Sequence, residues 1–152
     1  GYTVVDARGK KITFASAPKR IVCLNYSATD ILTDLIPTDR IIATDMWARE
    51  EDLSNCYEKL KGIPVCENNP EQIMKFKPDI VILDIIMPGL NGLETAEILK
   101  KQDPAVKILM LSSLCDAGTM EEVKSIGVKH LIPKPLEADV LLASLELVSK
   151  FA

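Results

Sequence analysis

An α/β fold built on a doubly wound, five-stranded parallel sheet in the order 2-1-3-4-5 is what this sequence predicts, on three observations. Short apolar runs alternate with amphipathic stretches along most of the chain, the pattern of strands joined by crossover helices. Two of those runs, 20–25 and 79–84, are apolar without a polar face, as strands covered on both sides must be. Helix-stopping residues such as Pro37 and Gly127 punctuate the alternation at the intervals crossovers need.

Residues 3–14 read as a hairpin: Thr3-Val4-Val5, a polar turn at 7–10, then Ile12-Thr13-Phe14. Residues 20–25 form the first parallel strand. Ser27 is the expected N-cap of a helix over 28–36, with Ile31, Leu32 and Leu35 on one face and Pro37 as its stop. A second strand follows at 40–44. Residues 46–68 are the least regular stretch, with a short helix around 52–59. Pro70 suits a first helical turn and opens a helix to Phe76. The third strand is 79–84. A helix over 93–101, a strand over 106–111, a helix over 118–126 closed by Gly127, a strand over 129–132 and a helix over 137–150 complete the chain. Five strands and five helices are the flavodoxin-like number; the hairpin and residues 46–68 are additions to it.

Composition excludes several classes. The 152 residues carry a net charge of -4, without the basic stripe that nucleic-acid binding requires. No apolar run approaches the ~18 residues of a membrane span. The start, Gly1-Tyr2-Thr3, lacks a charged and then apolar leader; the cytoplasm is the expected compartment. The four cysteines contain no CxxC spacing, which disfavours zinc; Cys23 reads as core, and Cys56 and Cys66 can pair only if the fold brings them close. The lone His130 and the 50–52 acidic run read as structural and solvated.

The sharpest local signal is Asp84-Ile85-Ile86-Met87-Pro88-Gly89-Leu90-Asn91-Gly92. Asp84 stands at the carboxyl end of a strand, where open α/β sheets place their chemistry. The next strand ends at Ser112-Ser113, and the fifth is followed by Lys134-Pro135. A carboxylate that can accept a phosphoryl group, a hydroxyl and an ammonium thus leave three neighbouring strands. This set resembles the response-regulator receiver domain over about 78–150. The resemblance implies that Asp84 is the phosphoacceptor, that Ser112 and Lys134 bind the phosphoryl group, that the Lys134–Pro135 bond is cis, and that Pro88, Gly89 and Gly92 shape the loop. It also implies a Mg²⁺ site formed with paired acids at the end of the first strand. Those acids are missing here, since that strand ends Leu24-Asn25-Tyr26-Ser27. Asp30 is expected to point elsewhere, Asp45 lies one strand away, and Leu131 replaces the family's switch aromatic. Asp84 alone leaves at most a weak Mg²⁺ site, and no other cofactor is expected.

The first half resembles a different family. Val4 to Phe14, Ala17 to Val22, Ser27 to Leu32 and Asn69 to Met74 are similar to the amino-terminal lobe of periplasmic binding proteins that serve ABC importers of metal chelates such as siderophores, haem or cobalamin, over about 2–83. Tyr26, Ser27 and Trp47 fall near strand ends where such a cleft would lie, although as half a cleft they read more simply as cover for the sheet edge. Taken together, the two resemblances predict one flavodoxin-like domain over 1–152, with a binding-protein half (1–79) joined to a receiver half (80–152) through a shared third strand. The implied protein is an engineered chimeric scaffold, monomeric and without enzymatic or other selected activity, whose ancestral histidine-kinase or importer partners are lost. The alternatives are a phosphoacceptor receiver using Asp84 and a remnant chelate-binding lobe. The contacts placed at risk by the join are Ile21 and Cys23 against Val81 and Leu83, and Leu141, Leu145 and Val148 against the first helix.

Overall fold

The computed structural model describes residues 2–5, 11–14, 20–49, 57–86, 91–113 and 117–151, with side chains described within 20–48, 58–86, 91–113 and 117–145. The expected hairpin turn at 7–10, the 50–52 acids, Cys56, Cys115, Pro88 and Gly89 lie outside them. The elements follow the expected order. A hairpin of β1 (Tyr2–Val5) and β2 (Lys11–Phe14) pairs antiparallel with Val4 opposite Ile12. Then come β3 (Ile21–Cys23), α1 (Tyr26–Leu35), β4 (Ile41–Thr44), α2 (Pro70–Lys75), β5 (Ile80–Asp84), α3 (Gly92–Gln102), β6 (Lys107–Ser112), α4 (Ala117–Ser125), β7 (His130–Pro133) and α5 (Ala138–Phe151). Two short 3-10 turns, Met46–Arg49 and Tyr57–Leu60, fall within 46–68; the helix expected around 52–59 lies mostly outside the described residues.

The five later strands form one parallel sheet in the order β4-β3-β5-β6-β7, the 2-1-3-4-5 arrangement. β5 lies at its centre and every residue of it is buried, which explains its apolar run from Ile80 to Leu83 ahead of Asp84. Alternation along each strand sends side chains to opposite faces. Ile21, Cys23, Ile80 and Ile82 pack with Ala28 and Leu32 of α1 and Leu141, Leu142 and Leu145 of α5. Val22, Val81 and Leu83 pack on the other face with Ile73, Ala96, Leu99 and Val123. The expected pairing of Ile21 and Cys23 with Val81 and Leu83 is therefore corrected. In register Ile21 lies beside Ile80 and Cys23 beside Ile82, because adjacent parallel strands share a face only at matched positions. Leu141 and Leu145 of α5 belong to the same core cluster as Ala28 and Leu32 of α1, and the Val148 side chain lies outside the described residues.

Local signals fix the helix ends. Asn69 accepts hydrogen bonds from the N–H groups of Glu71 and Gln72, and Pro70 occupies the first turn. Gly127, at φ +89°, supplies the left-handed residue that ends α4. Ser27 does not cap α1. The helix begins at Tyr26, and the Asn25 side chain accepts the Ala28 N–H over 2.9 Å while its backbone carbonyl accepts the Thr29 N–H. Arg20 ties the start of β3 to the bend before β5. Its Nε donates to the Lys77 carbonyl over 3.0 Å and its backbone N–H to Asp79 Oδ2 over 3.1 Å.

Candidate functional site

The carboxyl ends of β3, β5, β6 and β7 lie on one rim of the sheet. Asp84 closes β5 and is 8% exposed. Lys134, just beyond β7, places its Nζ on Asp84 Oδ2 in a salt bridge. Asn25, just beyond β3, donates from Nδ2 to the same oxygen over 3.1 Å. The backbone N–H of Ile86 donates to Oδ1 over 3.2 Å. Ser112 ends β6, is 1% exposed, and follows Leu111, the register partner of Asp84. Its carbonyl accepts the Lys134 N–H over 2.9 Å, which anchors the loop that carries the lysine. The Lys134–Pro135 peptide bond is cis, as the resemblance implies. The three predicted residues thus meet at one rim.

Gly92 has a definite steric role. A Cβ there would lie 2.1 Å from the Asp84 carbonyl oxygen, so only glycine lets the start of α3 approach the acceptor strand this closely. The Gly92 N–H also donates to the Ile85 carbonyl over 2.8 Å.

Sequence reasoning missed Asn25. Its amide has a second use beyond the helix cap, because the Nδ2 left over after capping faces Asp84. Asp30 lines a cavity of about 410 Å³ with Asn25, Ser27 and Lys134, since Ser27, Asp30 and Ile31 share one face of α1; Asp84 does not line that cavity.

Asp45 is where the sequence places it, one strand over. Its Oδ1 accepts the Ala48 N–H over 3.2 Å, and burial raises its carboxyl to about 6 against that bond. Cys66 is a buried free thiol, pushed up to about 11 by burial and then by the Glu67 charge. It is not in a disulfide, and Cys56 lies outside the described residues. His130 is lowered by burial and by the neighbouring Lys129 charge, and Leu131 packs against the core. Trp47 and Tyr26, at the sheet edge, are 44% and 38% exposed and line a cavity that Asp84 also lines.

The donor set does not fit a tight divalent-cation site. Among the described residues no three His, Cys, Asp or Glu side chains gather for a metal. The oxygen a cation would share is taken by two N–H donors, Lys134 and Asn25. Hard cations such as Mg²⁺ need oxygen ligands instead. No helix of the described residues is long and apolar enough to cross a membrane.

Comparison with known proteins agrees with this rim. The family described as the response regulator receiver domain matches residues 60–146, beginning ahead of the boundary near 78 that the sequence suggests. The chemotaxis protein CheY of Listeria monocytogenes is 39% identical over 87 residues, 55% of this chain and 73% of that protein. Among solved structures, a LuxR-family DNA-binding response regulator from Staphylococcus aureus superposes with a TM-score of 0.60 at 17% identity, covering 87% of this chain and 99% of that one. A chain of the CheX–CheY–BeF3–Mg²⁺ complex from Borrelia burgdorferi gives 0.58 at 21%, covering 89% and 90%; at such identities these two show the fold alone. These findings overturn the expectation of an engineered scaffold without selected activity. The family match spans β5, β6 and β7 with Asp84, Ser112 and Lys134 at or just beyond their carboxyl ends. The comparisons give no support to a binding-protein lobe.

Proposed function

The chain belongs to the response regulator receiver family, and we propose that it accepts a phosphoryl group on Asp84. The observation that carries this reading is the convergence of Lys134 Nζ and Asn25 Nδ2 on one oxygen of a nearly buried carboxylate. That leaves Oδ1, held by a single N–H from Ile86 over 3.2 Å among the described residues, as the freer nucleophile. Oδ1 attacks the phosphorus of a phosphohistidine or a small phosphodonor. A bond forms from Oδ1 to phosphorus, and the bond from phosphorus to the donor breaks. The donor nitrogen or oxygen leaves with the bonding pair and takes a proton from water.

Phosphoryl transfer demands charge compensation at the transferred oxygens. Lys134, whose side chain is 35% exposed, has the freedom to follow its charge from Oδ2 onto a phosphate oxygen. Ser112 supplies a hydroxyl to another. Asn25 keeps the carbonyl oxygen polarised through Nδ2. In this reading Mg²⁺ binds weakly and Lys134 provides most of the positive charge. The protein acts as an acceptor and not as a turnover enzyme, with a histidine kinase as the natural donor class.

Exposure to phosphoramidate followed by intact-mass measurement tests the proposal. The parent chain gains one phosphoryl group and Asp84→Asn gains none. Equal incorporation in the two would refute it.

A further inference from the structure

The ends of β3, β4 and β5 enclose a second feature, a cavity of about 660 Å³, within the size range of small-molecule sites. Seven large hydrophobic side chains are exposed among the described residues, and five of them line this one cavity: Tyr26, Met46, Trp47, Val65 and Ile86. Single exposed apolar groups need no explanation, but such concentration marks a binding surface. The charged side chains lining it, among the described residues, are Asp45, Glu67 and Asp84, and no base is among them. Asp84 already faces Lys134. Asp45 has no cationic partner among the described residues; its carboxylate meets backbone N–H groups, that of Ala48 over 3.2 Å and its own, and is partly desolvated. A carboxylate kept half-buried and unpaired is costly unless something opposite in charge meets it.

We propose that this cavity binds a small organic cation, a protonated or quaternary amine carrying an apolar body. The ammonium lies against Asp45, with the rings of Trp47 and Tyr26 beside it for cation–π attraction. The apolar body lies against Met46, Val65 and Ile86. Charge complementarity selects this occupant: an anion meets three carboxylates and no base, and a neutral molecule leaves Asp45 unpaired. The inference does not rest on phosphorylation of Asp84.

Calorimetric titration of the full chain with benzyltrimethylammonium, benzyl alcohol and benzoate tests it, with fluorescence of Trp47, the sole tryptophan, as a second readout. The cation binds saturably, with an affinity about tenfold above benzyl alcohol, and benzoate does not bind. Asp45→Asn lowers the cation's affinity about tenfold and leaves benzyl alcohol unchanged. Trp47→Ala, at an exposed position that folding tolerates, weakens the cation as well. Absence of saturable heat with the cation, equal affinity for benzyl alcohol, or an unchanged Asp45→Asn titration overturns the proposal.

Discussion

Asn25 and Asp84 are joined by one hydrogen bond that links the start of a helix to the candidate phosphoacceptor. Asn25 Nδ2 donates to Asp84 Oδ2 over 3.1 Å, while Asn25 Oδ1 accepts the Ala28 N–H and caps α1. A single amide satisfies both because its two ends carry opposite hydrogen-bonding character. Position 25 therefore serves the fold and the site together.

Asn25→Ala should cost about 1–2 kcal/mol of stability, as loss of a side-chain cap does. Ser27→Ala should change stability by less than about 0.5 kcal/mol, the range of exposed surface sites. Urea unfolding of the two variants checks the assignment; a larger effect at Ser27 would return the cap to the position the sequence first suggests.

Gly92→Ala should destabilise the chain by about 3 kcal/mol or more, through steric strain at a packed backbone. The Cβ would meet the Asp84 carbonyl oxygen at 2.1 Å, so the strand end that carries the acceptor must move. Thermal unfolding reports the cost. A variant as stable as the parent would show that α3 can shift freely away from β5.

Asp45→Asn should stabilise the protein at and above about pH 7 and do little near pH 4. Burial raises this carboxyl from 3.8 to about 6 in the folded chain, so the folded state holds its proton more tightly than the unfolded state. Stability supplied by the neutral acid is complete below the unfolded value and is lost as pH rises through the folded one. Glu67 and Asp84, which line the same cavity, and Lys134 against Asp84 remain in both proteins, so the difference between their melting curves isolates Asp45. A constant difference at all pH values would contradict the burial.

The sheet order and most helix limits were legible because their causes are local. Pro70 sets a first turn, Gly127 supplies a left-handed residue, and β5 is apolar from Ile80 to Leu83 because it is covered on both faces. Asp84, Ser112 and Lys134 were legible because strand ends converge in this topology. Asn25 was not. Two capping side chains, Asn25 and Ser27, lie two residues apart, and the choice depends on where β3 ends. The facing of Ile21 and Val81 required the inter-strand register, which no single strand encodes. The cavity beside Asp84 escaped because residues 45–47, 65–68 and 84–86 meet only in the folded chain.

The most direct measurement of the central claim is the position of the phosphoryl group after reaction with phosphoramidate, mapped by fragmentation mass spectrometry with and without a Mg²⁺ chelator. The account predicts modification at Asp84, little diminished by the chelator and strongly slowed in Lys134→Ala. Modification at another residue, or incorporation that vanishes with Mg²⁺ yet is indifferent to Lys134, would contradict it.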